Sequence, residues 1–356
     1  MTLSGADDEP VRAALEAGEP LAGRGGFAGA IDGTLVRDVL GRYPLFYERD
    51  EPSRWSHDRT DLDTPRRLPA GHVHDGDECR EWITLPEFEP TGGVDSVRAA
   101  VDEAVGRVDD TDLAIAFSGG LDSAILAARL DAPLYTVGFP GSHDIEAARS
   151  AAALLDADLR VMELEPADLE DALPAVVDTT GRTNAMDIEI ALPIFVLARR
   201  VRGDGFDRLA LGQGADELFG GYKKVAQASG DPRVSADTVR GARREMVETL
   251  PNQLERDVLA LRAAGVEPVV PLLDNVVVEA ALSLPGELLV NHRGERKWAL
   301  RLAARRWLPD QVVFREKKAV QYGSLVAREL DRLARQHGFK RRRDDHIRLY
   351  IESECL

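Results

Sequence analysis

Cysteine is almost missing from this chain: Cys79 and Cys355 are too few for a disulfide framework, and neither sits in a metal-ligand spacing. Lysine is nearly as scarce, confined to Lys223, Lys224, Lys297, Lys317, Lys318 and Lys340. With 62 Asp and Glu against 45 Lys and Arg, the net charge is -17. A surface so acidic and lysine-poor reads as adapted to high salt, where screening relieves the repulsion among carboxylates. The same balance argues against general binding to a phosphate backbone, which needs a basic face. Only Lys340-Arg341-Arg342-Arg343 departs from it, and a solvated helix end explains that run. No apolar stretch is long enough to span a bilayer, and MTLSGADDEP has no basic and apolar leader, so a cytoplasmic location is expected.

At 356 residues a small N-terminal unit plus a larger α/β unit is the natural expectation. Residues 1 to about 20 read as frayed chain or one short helix. From Gly26 to Glu48 short β-rich runs follow, and Asp32-Gly33 between apolar residues signals a hairpin. Residues 49–92 are polar and proline-containing, with one more strand candidate near Trp82 to Leu85. Residues 1–92 are therefore expected to form a small, mostly antiparallel β module. His72 and His74 lie in this polar stretch with no third ligand in view, so they read as solvated loop residues.

Beyond Gly92-Gly93 strands and helices alternate, which predicts for 93–356 an α/β domain on a parallel sheet. Strands are expected at Leu113–Phe117, Leu134–Phe139, Leu159–Leu164 and Arg208–Leu211. Helices are expected at Asp122–Leu130, at Asp144–Leu155 with Asp144 as its cap, and at about Asp187–Arg202. After Tyr222 the pattern is helical, punctuated by Pro251, Pro268, Pro271, Pro285 and Pro309.

The strongest local signal is Leu113-Ala114-Ile115-Ala116-Phe117-Ser118-Gly119-Gly120-Leu121-Asp122-Ser123, a buried strand running into a Gly-Gly turn and a helix. Two glycines let the backbone approach oxygens closely, a helix start offers free N–H groups, and Ser118 and Ser123 add hydroxyls: a polyphosphate site. Asp122 would repel phosphate unless a cation lay between them, which makes it a Mg²⁺ ligand. A plain Gly-rich turn with a helix cap competes with this reading only if the Ser-Gly-Gly-x-Asp-Ser order is ignored.

That segment resembles the PP-loop of ATP pyrophosphatases, which form an adenylate and release pyrophosphate; it lacks the Gly-Lys-Ser/Thr of a Walker loop. Four further stretches resemble the synthetase domain of asparagine synthetases. In the first, from Leu134 to Ala147, the resemblance implies that Val137 and Phe117 pack on adenine while Gly138 leaves room. The second, Leu211-Gly212-Gln213-Gly214-Ala215-Asp216-Glu217-Leu218-Phe219-Gly220-Gly221-Tyr222, is the most specific mark; it implies Gly212 at the nucleotide and Asp216 as the metal carboxylate opposite Asp122. The third, Val266 to Asp274, is similar to an architectural Pro-Leu-Leu-Asp segment of the family. In the fourth, Arg315 to Ser324, Lys317 stands six positions before Gly323, the spacing of the family's catalytic lysine. A compact ammonium suits charge that moves from α-phosphate to a tetrahedral centre.

Departures at two places in the chain, positions 211 and 213 and the N-terminal region, shape what the resemblance implies. Gln213 replaces a glutamate thought to assist proton removal during amide formation; Gln cannot accept that proton but can orient a substrate. Leu211 likewise replaces a nucleotide-contacting serine. Arg37-Asp38-Val39-Leu40-Gly41-Arg42-Tyr43-Pro44-Leu45-Phe46-Tyr47 resembles part of the N-terminal nucleophile glutaminase domain, yet Thr2 stands where that domain needs cysteine, and about 90 residues cannot supply its whole sandwich. A shortened remnant without glutaminase activity is expected, with nitrogen from ammonia, another amine or a separate glutaminase subunit. The expected reaction is ATP- and Mg²⁺-dependent adenylation of a carboxylate, aspartate by default, then amide formation. Two alternatives stay open: a nucleotide-binding scaffold without catalysis, and a PP-loop enzyme of RNA modification, which usually carries the Cys pairs or basic domain missing here.

Overall fold

A computed structural model describes residues 3–21, 23–315, 324–341 and 345–355. The chain divides into two compact units. Met1–Val108, Gly212–Glu255 and Val270–Arg306 form the first; Asp109–Leu211, Arg256–Val269 and Trp307–Leu356 form the second.

The first unit opens with helix α1 (Asp8–Ala17), stopped by Gly18 in the left-handed region. Seven short strands follow: β1 (Ala28–Ile31), β2 (Thr34–Arg37), β3 (Phe46–Glu48), β4 (Glu51–Ser56), β5 (Pro65–Arg67), β6 (His72–His74) and β7 (Cys79–Glu81). They make two antiparallel sheets, ordered β1-β2-β6-β7 and β4-β3-β5. Asp32 and Gly33 both have positive φ, 51° and 84°, as a two-residue type I′ hairpin turn requires, and Ile31 pairs with Thr34 across it. Alternation along β2 sends Val36 into one core with Val11, Phe27, Ile31 and Val73, and Leu35 into another with Leu45 and Leu68. The Arg37–Tyr47 run is fixed by side-chain bonds within it and to its neighbours. Asp38 accepts the amides of Leu40 and Arg42, while the buried Arg37 donates to the carbonyls of Leu68 and Gly41. The strand expected at Trp82–Leu85 ends instead at Glu81: the amides of Trp82 and Ile83 both converge on Gly71 O, so no ladder continues. Helix α2 (Val94–Val105) completes this stretch.

The second unit carries a parallel sheet of β8 (Leu113–Ala116), β9 (Leu134–Gly138), β10 (Leu159–Glu163), β11 (Arg208–Ala210) and β12 (Glu267–Val269), ordered β10-β9-β8-β11-β12. Every neighbouring pair is parallel. Helices α3 (Leu121–Ala127), α4 (His143–Leu155), α5 (Pro166–Thr180) and α6 (Ala185–Gly203) connect them. The fold is thus α/β with an accompanying antiparallel module, as the sequence pattern indicates. Two local expectations are corrected. Ser142, not Asp144, caps α4, because its hydroxyl accepts the Ile145 amide and Asp144 already lies in the first turn. β12 falls where the sequence reads as helical; Pro268 is tolerated because β12 is an edge strand, where a missing N–H breaks no inner ladder.

Candidate functional site

Strand order places a reversal at β8. The chain runs outward from β8 to β9 and β10, then returns to β11 on the other side. In open α/β sheets ligands bind beyond the carboxyl ends of the strands at such a switch point. The segment leaving β8 there is Ser118-Gly119-Gly120-Leu121-Asp122-Ser123.

Its geometry follows from its residues. Phe117 is buried, and its amide donates to Tyr135 O at 2.7 Å, so the strand pairing holds to the edge of the turn. Gly119 has φ +70°, and a Cβ there would overlap the Ala147 carbonyl of α4; only glycine lets the loop lie this close. The Ser118 and Ser123 hydroxyls are 3.3 Å apart, Ser123 Oγ is 3.3 Å from Ser118 N and from Gly120 O, and Gly120 N is 3.4 Å from Ser118 Oγ. Bonds this long are weak, so the hydroxyls can be re-aimed at a better acceptor at little cost. Asp122 lies in the first turn of α3 and is 5% exposed.

At the end of β9, Val137 is half-buried and Gly138 buried. A Cβ at Gly138 would crowd the Ser142 hydroxyl. The second unit thereby gathers Phe117, Ser118, Gly119, Gly120, Asp122, Ser123, Val137 and Gly138 at adjacent strand ends. Lys317 lies outside the described residues. The described residues flanking it are tied to the same region: Arg315 donates to Ala147 O at 2.7 Å and to Ser150 Oγ at 2.8 Å, and Phe139 N donates to Ser324 O at 3.1 Å.

Gly212, Gln213 and Asp216 belong to the first unit. Gly214, at φ +84°, packs so closely on Leu273 that a Cβ would overlap its side chain, which ties the 212–222 run to the Pro271–Leu273 turn. Asp216 sits on the short helix Ala215–Leu218, and its Oδ1 is 2.7 Å from Lys297 Nζ. Lys297 is 5% exposed and takes left-handed backbone angles at the start of the helix Trp298–Ala304. A Cβ at Gly221 would collide with both members of this pair, so Gly221 makes room for it. The neighbouring Glu217 is buried and bonded to the Tyr222 hydroxyl. Burial first, and the Asp216 charge second, push the Glu217 carboxyl above its ordinary range. Arg243, also buried, donates to the carbonyls of Leu218, Ala281 and Leu282 and so fixes the end of the short helix. The sequence assigns no role to Lys297, Tyr222 or Arg243: Lys297 is marked only by the rarity of lysine, a signal it shares with Lys317, and Tyr222 only as the end of the 211–222 run.

A parallel sheet with a Ser-Gly-Gly-x-Asp-Ser loop at the carboxyl end of its middle strand is a PP-loop α/β unit of the ATP pyrophosphatase class. A family model described as asparagine synthase matches residues 96–243 and 230–354. The chain belongs to the asparagine synthase family. A candidate glutamine-hydrolysing asparagine synthetase 1 of Methanocaldococcus jannaschii is 30% identical over 285 residues, 69% of this chain and 52% of that protein. The glutamine-hydrolysing nodule asparagine synthetase of Pisum sativum is 27% identical over 289 residues, 72% of this chain and 48% of that protein. Asparagine synthetase B of Escherichia coli, also glutamine-hydrolysing, is 26% identical over 327 residues, 81% and 56% respectively. The chain spans about half the length of the curated relatives it matches. Among solved structures, NAD+ synthetase from Burkholderia Pseudomallei matches at 16% identity and a TM-score of 0.24, covering 71% of this chain and 93% of that one. Among the described residues no helix is long and apolar enough to cross a membrane.

Proposed function

We propose that the chain is an ATP-dependent carbon–nitrogen ligase that adenylates a carboxylate, aspartate by default, and passes the activated acyl group to ammonia or another amine, releasing AMP and pyrophosphate. The observation that carries this reading is the Ser118–Ser123 loop at the switch point of the sheet. The family membership supports it. The boundary proposed for the ligase domain is 93–356, with 1–92 a glutaminase-like remnant and any glutamine-derived ammonia supplied by a separate subunit.

The residues present fit ATP with Mg²⁺. Gly119 forms a cradle that a Cβ would fill, two loosely bonded hydroxyls stand beside it, and Asp122 supplies a hard carboxylate oxygen. Asp122 and Asp216 are the proposed metal ligands, and Lys297 stands at Asp216 as a cation of the protein's own. When bound, Mg²⁺ neutralises charge that develops on the departing pyrophosphate. Ser118, Gly119, Gly120 and Ser123 bind and orient the phosphates, while Phe117, Val137, Gly138 and Gly212 contact the nucleoside. Lys317 is assigned to the negative charge at the reacting centre. Gln213 can hold a substrate by hydrogen bonds but cannot take its proton, so the amine must arrive neutral or lose its proton elsewhere. This substitution also favours, as a second reading, an adenylating ligase whose carboxylate is not aspartate.

The test is isotopic. A carboxylate oxygen attacks the α-phosphorus and leaves with AMP when the amine attacks the acyl carbon. Aspartate labelled with ¹⁸O in its side-chain carboxylate should therefore give AMP carrying one ¹⁸O. Asparagine formed with unlabelled AMP, or with ADP as the nucleotide product, would contradict the reading.

A further inference from the structure

From the hydrogen bonding of the first unit we infer that Ser4 and His57 form a nucleophile–base dyad competent for hydrolysis of small acyl esters, an activity independent of the adenylation reading. Ser4 is held by two backbone bonds to β1, its amide to Ala28 O at 2.8 Å and Ala28 N to its carbonyl at 3.1 Å. Its Oγ is 2.9 Å from His57 Nε2, and His57 Nδ1 is 2.7 Å from Pro44 O. A carbonyl oxygen only accepts, so Nδ1 carries the ring proton, Nε2 presents its lone pair, and the serine O–H donates to it. This is the tautomer a general base needs, fixed by a third group in the manner of a triad, with a backbone carbonyl in the place of the acid. Trp55 packs edge-on against the imidazole, ring centroids 5.6 Å apart, and holds its plane.

The residue after the serine completes the arrangement. Gly5 has φ +88°, and a Cβ there would overlap the Tyr43 ring and Gly26 O, so the chain makes a sharp turn only glycine allows. Among the described residues the Gly5 N–H donates to no acceptor, and Gly5 is exposed. A free amide on the residue following a nucleophile, at a strained turn, is the donor used in hydrolases to hold a carbonyl oxygen as it becomes an oxyanion. Ser4 and His57 are both half-buried and Gly5 is exposed, so the dyad lies at the surface of the first unit and not in its core. Nothing in the ligase reading uses these residues.

The reaction balances without a redox partner. Ser4 Oγ bonds to the acyl carbon as its proton passes to His57 Nε2; the carbon–oxygen bond to the leaving alcohol breaks, and the alcohol takes that proton. Water then attacks the acyl-serine, giving its proton to Nε2; the bond to Oγ breaks and the serine regains the proton. Ester and water become acid and alcohol.

The test uses the full chain with a fluorophosphonate probe and p-nitrophenyl acetate. The expected result is a probe adduct on the Ser4 peptide by mass spectrometry, hydrolysis of the ester, and loss of both in Ser4→Ala. In His57→Gln the labelling rate should fall at least about 100-fold, within the range general-base assistance contributes. Absence of a Ser4 adduct on the wild-type chain overturns the inference whatever the variants do. Equal labelling of wild type and His57→Gln, with matching thermal melts, overturns it too.

Discussion

Lys297 Nζ lies 2.7 Å from Asp216 Oδ1, a pair in which the lysine is buried and the carboxylate only partly so. Removing one member of a buried pair strands the other's charge, at a cost of about 3–5 kcal/mol when both are fully buried. Because Asp216 retains some solvent, Lys297→Met should cost about 2 kcal/mol in a denaturant melt, and Asp216→Asn, which strands the more deeply buried lysine charge, should cost more. The double variant should be more stable than the sum of the two losses implies. Additive losses would mean that the contact is energetically idle.

Gly119 and Gly141 share a positive φ, 70° and 72°, but differ in surroundings: a Cβ at Gly119 would overlap the Ala147 carbonyl, whereas at Gly141 nothing lies within 4 Å. Gly141→Ala should cost about 1–2 kcal/mol, the strain of left-handed backbone alone. Gly119→Ala should cost clearly more, and should abolish ATP binding by titration calorimetry, because the phosphate loop must move off α4. Equal costs would refute the close packing.

Arg243 is buried with three carbonyl partners, and burial lowers its guanidinium to about 10. Arg243→Met keeps the volume but removes the guanidinium donor from all three carbonyls, of which Ala281 O still accepts the Leu284 amide; with an acceptor left unpaired costing about 1–3 kcal/mol, a loss of about 3 kcal/mol is expected by thermal or urea melt. The variant should also weaken any activity that needs Asp216, since the helix Ala215–Leu218 loses its end anchor.

Asp331 gathers Arg341, His346 and Arg335 between the helices Val326–Gln336 and His346–Cys355. Chiefly through Arg341, then His346 and Arg335, its carboxyl is held well below the ordinary 3.8. The sign follows from linkage: the cluster's stabilisation is fully present above that ordinary value and is lost as pH falls through the lower folded-state value. Stability measured from pH 5 downward should decline in the wild type, with a shallower decline in Asp331→Asn. Parallel curves would remove the cluster from acid unfolding.

The sheet and its phosphate loop were legible because local rules agree there: an apolar strand, a Gly-Gly turn and a Ser/Asp helix start all specify one geometry. The Asp32-Gly33 hairpin was legible for the same reason. β12 was not, since a three-residue edge strand with proline gains its identity only by pairing with β11. Nor was the Trp82–Leu85 ending, which depends on Gly71 drawing two amides to one carbonyl. At the site, glycines and carboxylates could be named from their order in the chain. The Lys297–Asp216 pair and the Arg243 anchor join residues separated in sequence, and no local periodicity announces them.

Mg²⁺-dependent pyrophosphate release from ATP in concentrated salt, with aspartate and ammonia present or omitted, for the wild type and Asp122→Asn, tests adenylation at the Ser118–Ser123 loop most directly. Release should require a carboxylate substrate and fall at least about 100-fold in the variant, the scale of losing a charge-stabilising group at a reacting centre. Release that is undiminished in Asp122→Asn would contradict it.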